Sequence, residues 1–133
     1  MDWITESIAI GNFHDARDPE LGEHVDAVLC LKEDCCDEDG DYPIVRSVPL
    51  KDGHGNTKKS LDKAMNFIHD TVSHSEKILV HCHAGRSRSV CIVAAYLVKF
   101  SRYSPNDALD LIKSKREIYL SDGIEEIFRF IGV

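Results

Sequence analysis

The chain has no basic stretch followed by an apolar one near its start. "MDWITESIAIG" mixes polar and apolar residues from the outset, so no secretory leader is expected and the cytoplasm is the expected compartment. A long hydrophobic run is missing too. The longest, Val90 to Val98, is far too short to cross a bilayer, so no stable membrane insertion is expected. Positive charge is scarce: 16 Lys and Arg stand against 23 Asp and Glu, a formal net charge of -7. That balance argues against a protein that coats nucleic acid or anionic membrane by bulk electrostatics. There is no C-x-x-C pair, and the five cysteines (Cys30, Cys35, Cys36, Cys82 and Cys91) are odd in number, so they read as reduced thiols and not as a disulfide framework. Adjacent Cys35 and Cys36 read as part of a solvated acidic loop, not as a zinc site. Repeats, linkers and low-complexity segments are absent. The 133 residues suit a single domain over 1–133, expected as a monomer.

The charge that is present is unevenly spread. "KEDCCDEDGD" (Lys32 to Asp41) carries much of the acid, whereas Lys77 to Arg88 has three full cations, two histidines and no acid. A local positive patch on an acidic protein suits a discrete phosphorylated ligand better than a polyanion lattice. "SIAIG" (Ser7 to Gly11), "VDAVLCL" (Val25 to Leu31), "IVRSVPL" (Ile44 to Leu50) and "KILVH" (Lys77 to His81) are short apolar runs bounded by turn residues and predict strands. Leu61, Ala64, Met65, Ile68 and Val72 recur at helical spacing between charged residues and predict an amphipathic helix over 57–73. Val90 to Phe100 is apolar on nearly every face, as in a helix buried mid-domain. Ser104-Pro105-Asn106-Asp107 reads as a helix start, with Leu109, Ile112 and Ala108 as its core face, and Asp122 as the cap of a last helix through Phe130. Strands alternating with helices predict an α/β fold: a central mixed, largely parallel sheet of about four to five strands flanked by helices.

"VHCHAGRSRSV" (Val80 to Val90) joins a strand to a helix through a tight polar loop. The N–H groups that open a helix have no partners within it and carry the positive end of its dipole, so a loop wrapped around that end makes an anion cradle. Gly85 fits close backbone approach or an unusual dihedral there. The sulfur of Cys82, amid amide donors, a helix dipole and Arg88, is favoured as thiolate, a strong nucleophile. Arg88 offers a planar fork that matches two oxygens of a phosphate. Other readings fare worse. His81, Cys82 and His83 are consecutive, so in extended chain they point to opposite faces and make a poor metal site. G-K-[ST], the mark of a Walker loop, is absent. No metal and no cofactor are expected.

"HCHAGRSRS" (His81 to Ser89) resembles the H-C-x-x-G-x-x-R-[ST] signature of the cysteine-dependent protein tyrosine phosphatase superfamily. "VCIVAAYLVKF", "AIGNFHDARD" and "SPNDALDLIKSKR" are similar to segments of its compact dual-specificity branch. The resemblance implies a phosphocysteine intermediate on Cys82, with Arg88 holding two phosphoryl oxygens. Backbone N–H groups of His83, Ala84, Gly85, Arg86, Ser87 and Arg88 would line the cradle. Ser89 would donate to the sulfur as it departs, and His81 would order the loop. A leaving oxygen needs a proton. "VPLKDGHGN" supplies Asp52, thirty residues before Cys82, in a context that resembles the family's acid loop; a plain turn aspartate and His54 as acid are the alternatives. Some relatives carry at the place of Cys30 a second cysteine that forms a disulfide with the nucleophile, which makes Cys30 a candidate redox partner; a small buried hydrophobe is the plainer reading.

So short a chain has little room for extra pocket walls, which implies a shallow site. Phosphotyrosine in proteins is the first substrate choice, with phosphoserine and phosphothreonine admitted. His83 and Arg86 add positive potential, and "GRSRS" resembles the mitochondrial-type phosphatase acting on phosphatidylglycerophosphate, so a phospholipid or another small phosphate ester is the enzymatic alternative. A catalytically silent phosphate-binding module is the non-enzymatic one.

Overall fold

Short apolar runs build a sheet whose three central strands are buried on both faces. The computed structural model describes residues 1–33 and 43–131; Cys35, Cys36 and most of the acidic stretch lie outside the described residues. The strands are β1 (Asp2–Trp3), β2 (Ile8–Gly11), β3 (Ala27–Cys30), β4 (Ile44–Ser47) and β5 (Ile78–His81), in the order β1-β2-β5-β3-β4. Among the described strands only β1 runs antiparallel, against β2; the remaining pairs are parallel. This is the mixed, largely parallel sheet that the sequence predicts, with β1 added at the edge.

Side chains alternate between faces along each strand. Ile8, Ile10, Leu29, Ile78 and Val80 enter the larger core, while Ala9, Val28 and Leu79 join a smaller one with Leu21 and Val25. Helices α1 (Lys58–Ser73), α2 (Arg88–Ser101) and α3 (Pro105–Lys115) supply the larger core. Thr57 caps α1 by accepting from the Ser60 N–H at 3.2 Å, and Ser104 caps α3 by accepting from the Asp107 N–H at 3.1 Å. Every α2 residue from Ser89 to Leu97 is buried, as its all-round apolar character requires.

The last helix differs from the expected form. Ile124–Ile131 is a 3₁₀ helix. It buries Ile124 and Ile127 and packs Phe128, Phe130 and Ile131 against the larger core.

The three central parallel strands end together. Gly11 of β2 and Cys30 of β3 both stand in register with His81, the last residue of β5. The loop after β5 therefore opens between two strand ends, in the crevice where parallel α/β sheets place their ligands.

Candidate active site

Cys82 follows β5 directly and is 2% exposed, at the base of a cavity of about 390 Å³. The cavity is lined by Asp52, Cys82, His83, Ala84, Arg86, Ser87, Arg88, Tyr119 and Ser121. Residues that the sequence brings forward from two separate stretches thus meet in one space. The Cys82 Sγ lies 3.3 Å from the hydroxyl of buried Ser89, which can donate to it. His81 is wholly buried, and its Nδ1–H donates to the Cys82 carbonyl at 3.3 Å, while His83 is exposed and stacks on Phe13 at 4.7 Å. The two histidines therefore leave the cysteine on different sides, and among the described residues no three metal-ligating side chains converge.

The start of α2 is left bare by a particular hydrogen bond. Ser87 stands at the N-cap position, yet its hydroxyl makes no cap. Its Oγ accepts instead from the Ser121 N–H at 3.0 Å. An uncapped helix start keeps its orphan donors and the positive end of its dipole for a ligand. Arg88, the first residue of α2, donates from Nη1 to the Leu50 carbonyl at 3.3 Å, and its Nε is buried with no partner among the described residues. A buried charged donor without an acceptor is costly, and an oxyanion in the cavity would relieve it.

Gly85 is the tight point. It has φ +70, and a Cβ there would collide with the Gly11 carbonyl oxygen and lie 2.9 Å from Arg116 Nη2. Arg116 is itself fixed, donating from Nη1 to the Ile10 carbonyl at 2.7 Å and to the Asp2 carboxylate at 3.0 Å. The loop is thus braced from behind by β2 and by the end of α3.

Asp52 is exposed on the cavity wall. Its loop is closed by Asn56, whose Oδ1 accepts from the Lys51 N–H at 2.8 Å while its Nδ2 donates to the Lys51 carbonyl at 2.8 Å. His54, the rival acid, is not among the lining residues. Its Nδ1 meets the Glu126 carboxylate at 3.2 Å, and the His54 hydrogen bond, with one from the Gly55 N–H, holds that carboxyl below its ordinary range.

A model of the dual specificity phosphatase catalytic domain matches residues 14–127. The chain belongs to that family. Human dual specificity protein phosphatase 22 is 33% identical over 124 residues, covering 87% of this chain and 64% of that protein. The solved structure of human DUSP28 superposes with a TM-score of 0.88 at 20% identity, over 97% of this chain and 93% of that one, which shows the shared fold. The structure of PTPMT1 in complex with PI(5)P follows at a TM-score of 0.74 and 25% identity, over 96% of this chain and 91% of that one. Against the first curated relatives, this dual specificity phosphatase domain spans 41%, 24% and 64% of their lengths.

Two thiols need separate accounts. The expectation of reduced cysteines fails at Cys30, which is disulfide-bonded. Cys82 and Cys91 are free, so that bond is not made to the nucleophile candidate and the Cys30–Cys82 pairing is not formed. Cys91 is buried in α2, and burial, with the negative charges of Glu125, Asp52 and Cys82 behind it, pushes its thiol up to about 12. At neutral pH Cys91 is then held as the unreactive thiol. Iodoacetamide on the native family member at pH 7 is expected to modify Cys82 and leave Cys91 intact by peptide mass; rapid labelling of Cys91 would contradict its burial.

Arg116, Asn56, Tyr119 and Ser121 were not singled out from the sequence. The first two brace loops through backbone contacts. Only Asn56 left a local trace, as an amide side chain closing a glycine-rich turn.

Proposed function

We propose that the protein hydrolyses phosphate monoesters, with phosphotyrosine in proteins as the first substrate, through a phosphocysteine intermediate. The convergence of Cys82, Arg88 and Asp52 on one cavity carries this reading. The phosphate sits over the sulfur, its oxygens held by Arg88 and by the N–H groups of residues 83–88. The Cys82 thiolate attacks phosphorus and forms the S–P bond as the ester P–O bond breaks. Asp52, as the acid, gives its proton to the leaving oxygen. A water then attacks the same phosphorus and surrenders a proton to the Asp52 carboxylate. The S–P bond breaks, inorganic phosphate leaves, and the sulfur departs as thiolate with the Ser89 hydroxyl donating to it. No electrons are exchanged with an outside partner at any step.

Asp52→Asn is expected to lower kcat on a phosphotyrosine peptide by about a hundredfold or more while KM stays within a few-fold. An unchanged kcat would move the acid role elsewhere.

Exposed His83 and Arg86 on the cavity wall favour a second reading, a phosphoinositide or other phospholipid substrate, and PTPMT1 was solved with PI(5)P. Initial rates on a phosphotyrosine peptide, a phosphothreonine peptide and phosphoinositide vesicles rank the candidates. Phosphoinositide turnover above that of the phosphotyrosine peptide would put the lipid reading first.

A further inference from the structure

Tyr119 is 74% exposed, more than any other described large hydrophobic residue. An exposed aromatic is unremarked on most surfaces. This one lines the cavity that holds Cys82 and Arg88. Its backbone is also fixed to the cradle. The Tyr119 N–H donates to the Arg86 carbonyl at 2.9 Å, and two residues later the Ser121 N–H donates to the Ser87 hydroxyl at 3.0 Å. Two anchors in three residues hold the segment against the loop that binds phosphate. The phenol ring itself stands free of ring-ring and cation contacts among the described residues, so a face is left for a ligand.

The rest of the lining has no comparable apolar plate. Asp52, Arg86 and Arg88 are charged, Ser87 and Ser121 are small and polar, Ala84 is one methyl group, and the His83 ring is already stacked on Phe13. A phosphate seated over Cys82 must send its ester group outward along these walls. An alkyl chain of one or two carbons gains little from an aromatic face, whereas a phenyl ring gains both burial and offset stacking.

We infer that Tyr119 is a specificity-determining residue whose ring stacks on the aryl group of the ester, so that the site favours aryl over alkyl phosphates. The inference rests on the phosphatase reading above and names the substrate class within it. Arg86, whose carbonyl holds Tyr119, sits at the same wall, so one element both attracts the phosphate and grips the group behind it.

The test measures the ratio of kcat/KM for a phosphotyrosine peptide to that for a phosphothreonine peptide of the same flanking sequence, in wild type, Tyr119→Phe and Tyr119→Ala. Tyr119→Ala is expected to lower that ratio about five- to tenfold, mostly through KM, and Tyr119→Phe to hold it within twofold. A ratio that Tyr119→Ala leaves within twofold of wild type overturns the inference. So does an equal loss on both peptides, which would make Tyr119 a brace for Arg86 only. Binding of the same two peptides to Cys82→Ser and Cys82→Ser/Tyr119→Ala gives a readout that needs no turnover. If wild type hydrolyses neither peptide, the phosphoprotein reading fails, and the binding ratio still decides the role of the ring. Faster turnover of phosphoinositide vesicles than of phosphotyrosine peptide by wild type also overturns it.

Discussion

Cys82→Ser reduces hydrolysis of p-nitrophenyl phosphate to the buffer rate, an expected loss of about 10⁵-fold, with phosphopeptide binding kept. The sulfur is the group placed to attack: it closes the base of the cavity, with the Ser89 hydroxyl 3.3 Å away and the bare start of α2 beside it. A serine there keeps the size and hydrogen bonding but offers a hydroxyl far less acidic than a thiol, so the attacking anion does not form. Serine activity near wild type would mean that some other group attacks. Loss of binding together with turnover would mean that the substitution deformed the cradle. The same variant separates an enzyme from a silent phosphate-binding module, because wild-type binding without wild-type turnover is what a module gives.

The second large effect is at Arg88. Arg88→Lys is expected to cost about 10²- to 10³-fold in kcat/KM although the charge is preserved. One arm of the guanidinium is spent on the Leu50 carbonyl, while Nε is buried with no partner among the described residues. A lysine cannot hold that carbonyl and present a second donor along a fixed plane at the same time. The Leu50 bond also ties the start of α2 to the segment between β4 and Asp52, so the substitution loosens the acid as well as the anion site. Steady-state kinetics with vanadate inhibition check this: the inhibition constant should rise along with the loss of rate. A decrease of under tenfold would show that simple charge suffices.

Much of the site could be read from the sequence because its parts are local. The strand, the loop and the bare helix start occupy eleven consecutive residues, and each element has its own signal: β-branched runs, a glycine, an apolar helix. Asp52 was readable for the same reason, as an acid in a glycine turn after a strand. What braces these parts was not. Arg116 reaches Asp2 and Ile10 across 114 and 106 positions, and no local pattern at the end of α3 marks which basic residue there turns inward. Tyr119 and Ser121 depend on where the chain lands after α3, which packing decides. The last helix expected after Asp122 is a 3₁₀ segment over Ile124–Ile131. At Cys30 the expectation of a reduced thiol gave way to a disulfide that is not made to Cys82.

The brace behind Gly85 also orders events in time. Residues 2, 10, 11, 85 and 116 must all be in place before the loop has its final shape, and contacts of such sequence separation form slowly. Helices α1 and α2 can coil and collapse together while Gly85 still lacks the backbone it rests on. Regain of turnover after dilution from denaturant is therefore one of the last signals to recover, trailing helical content.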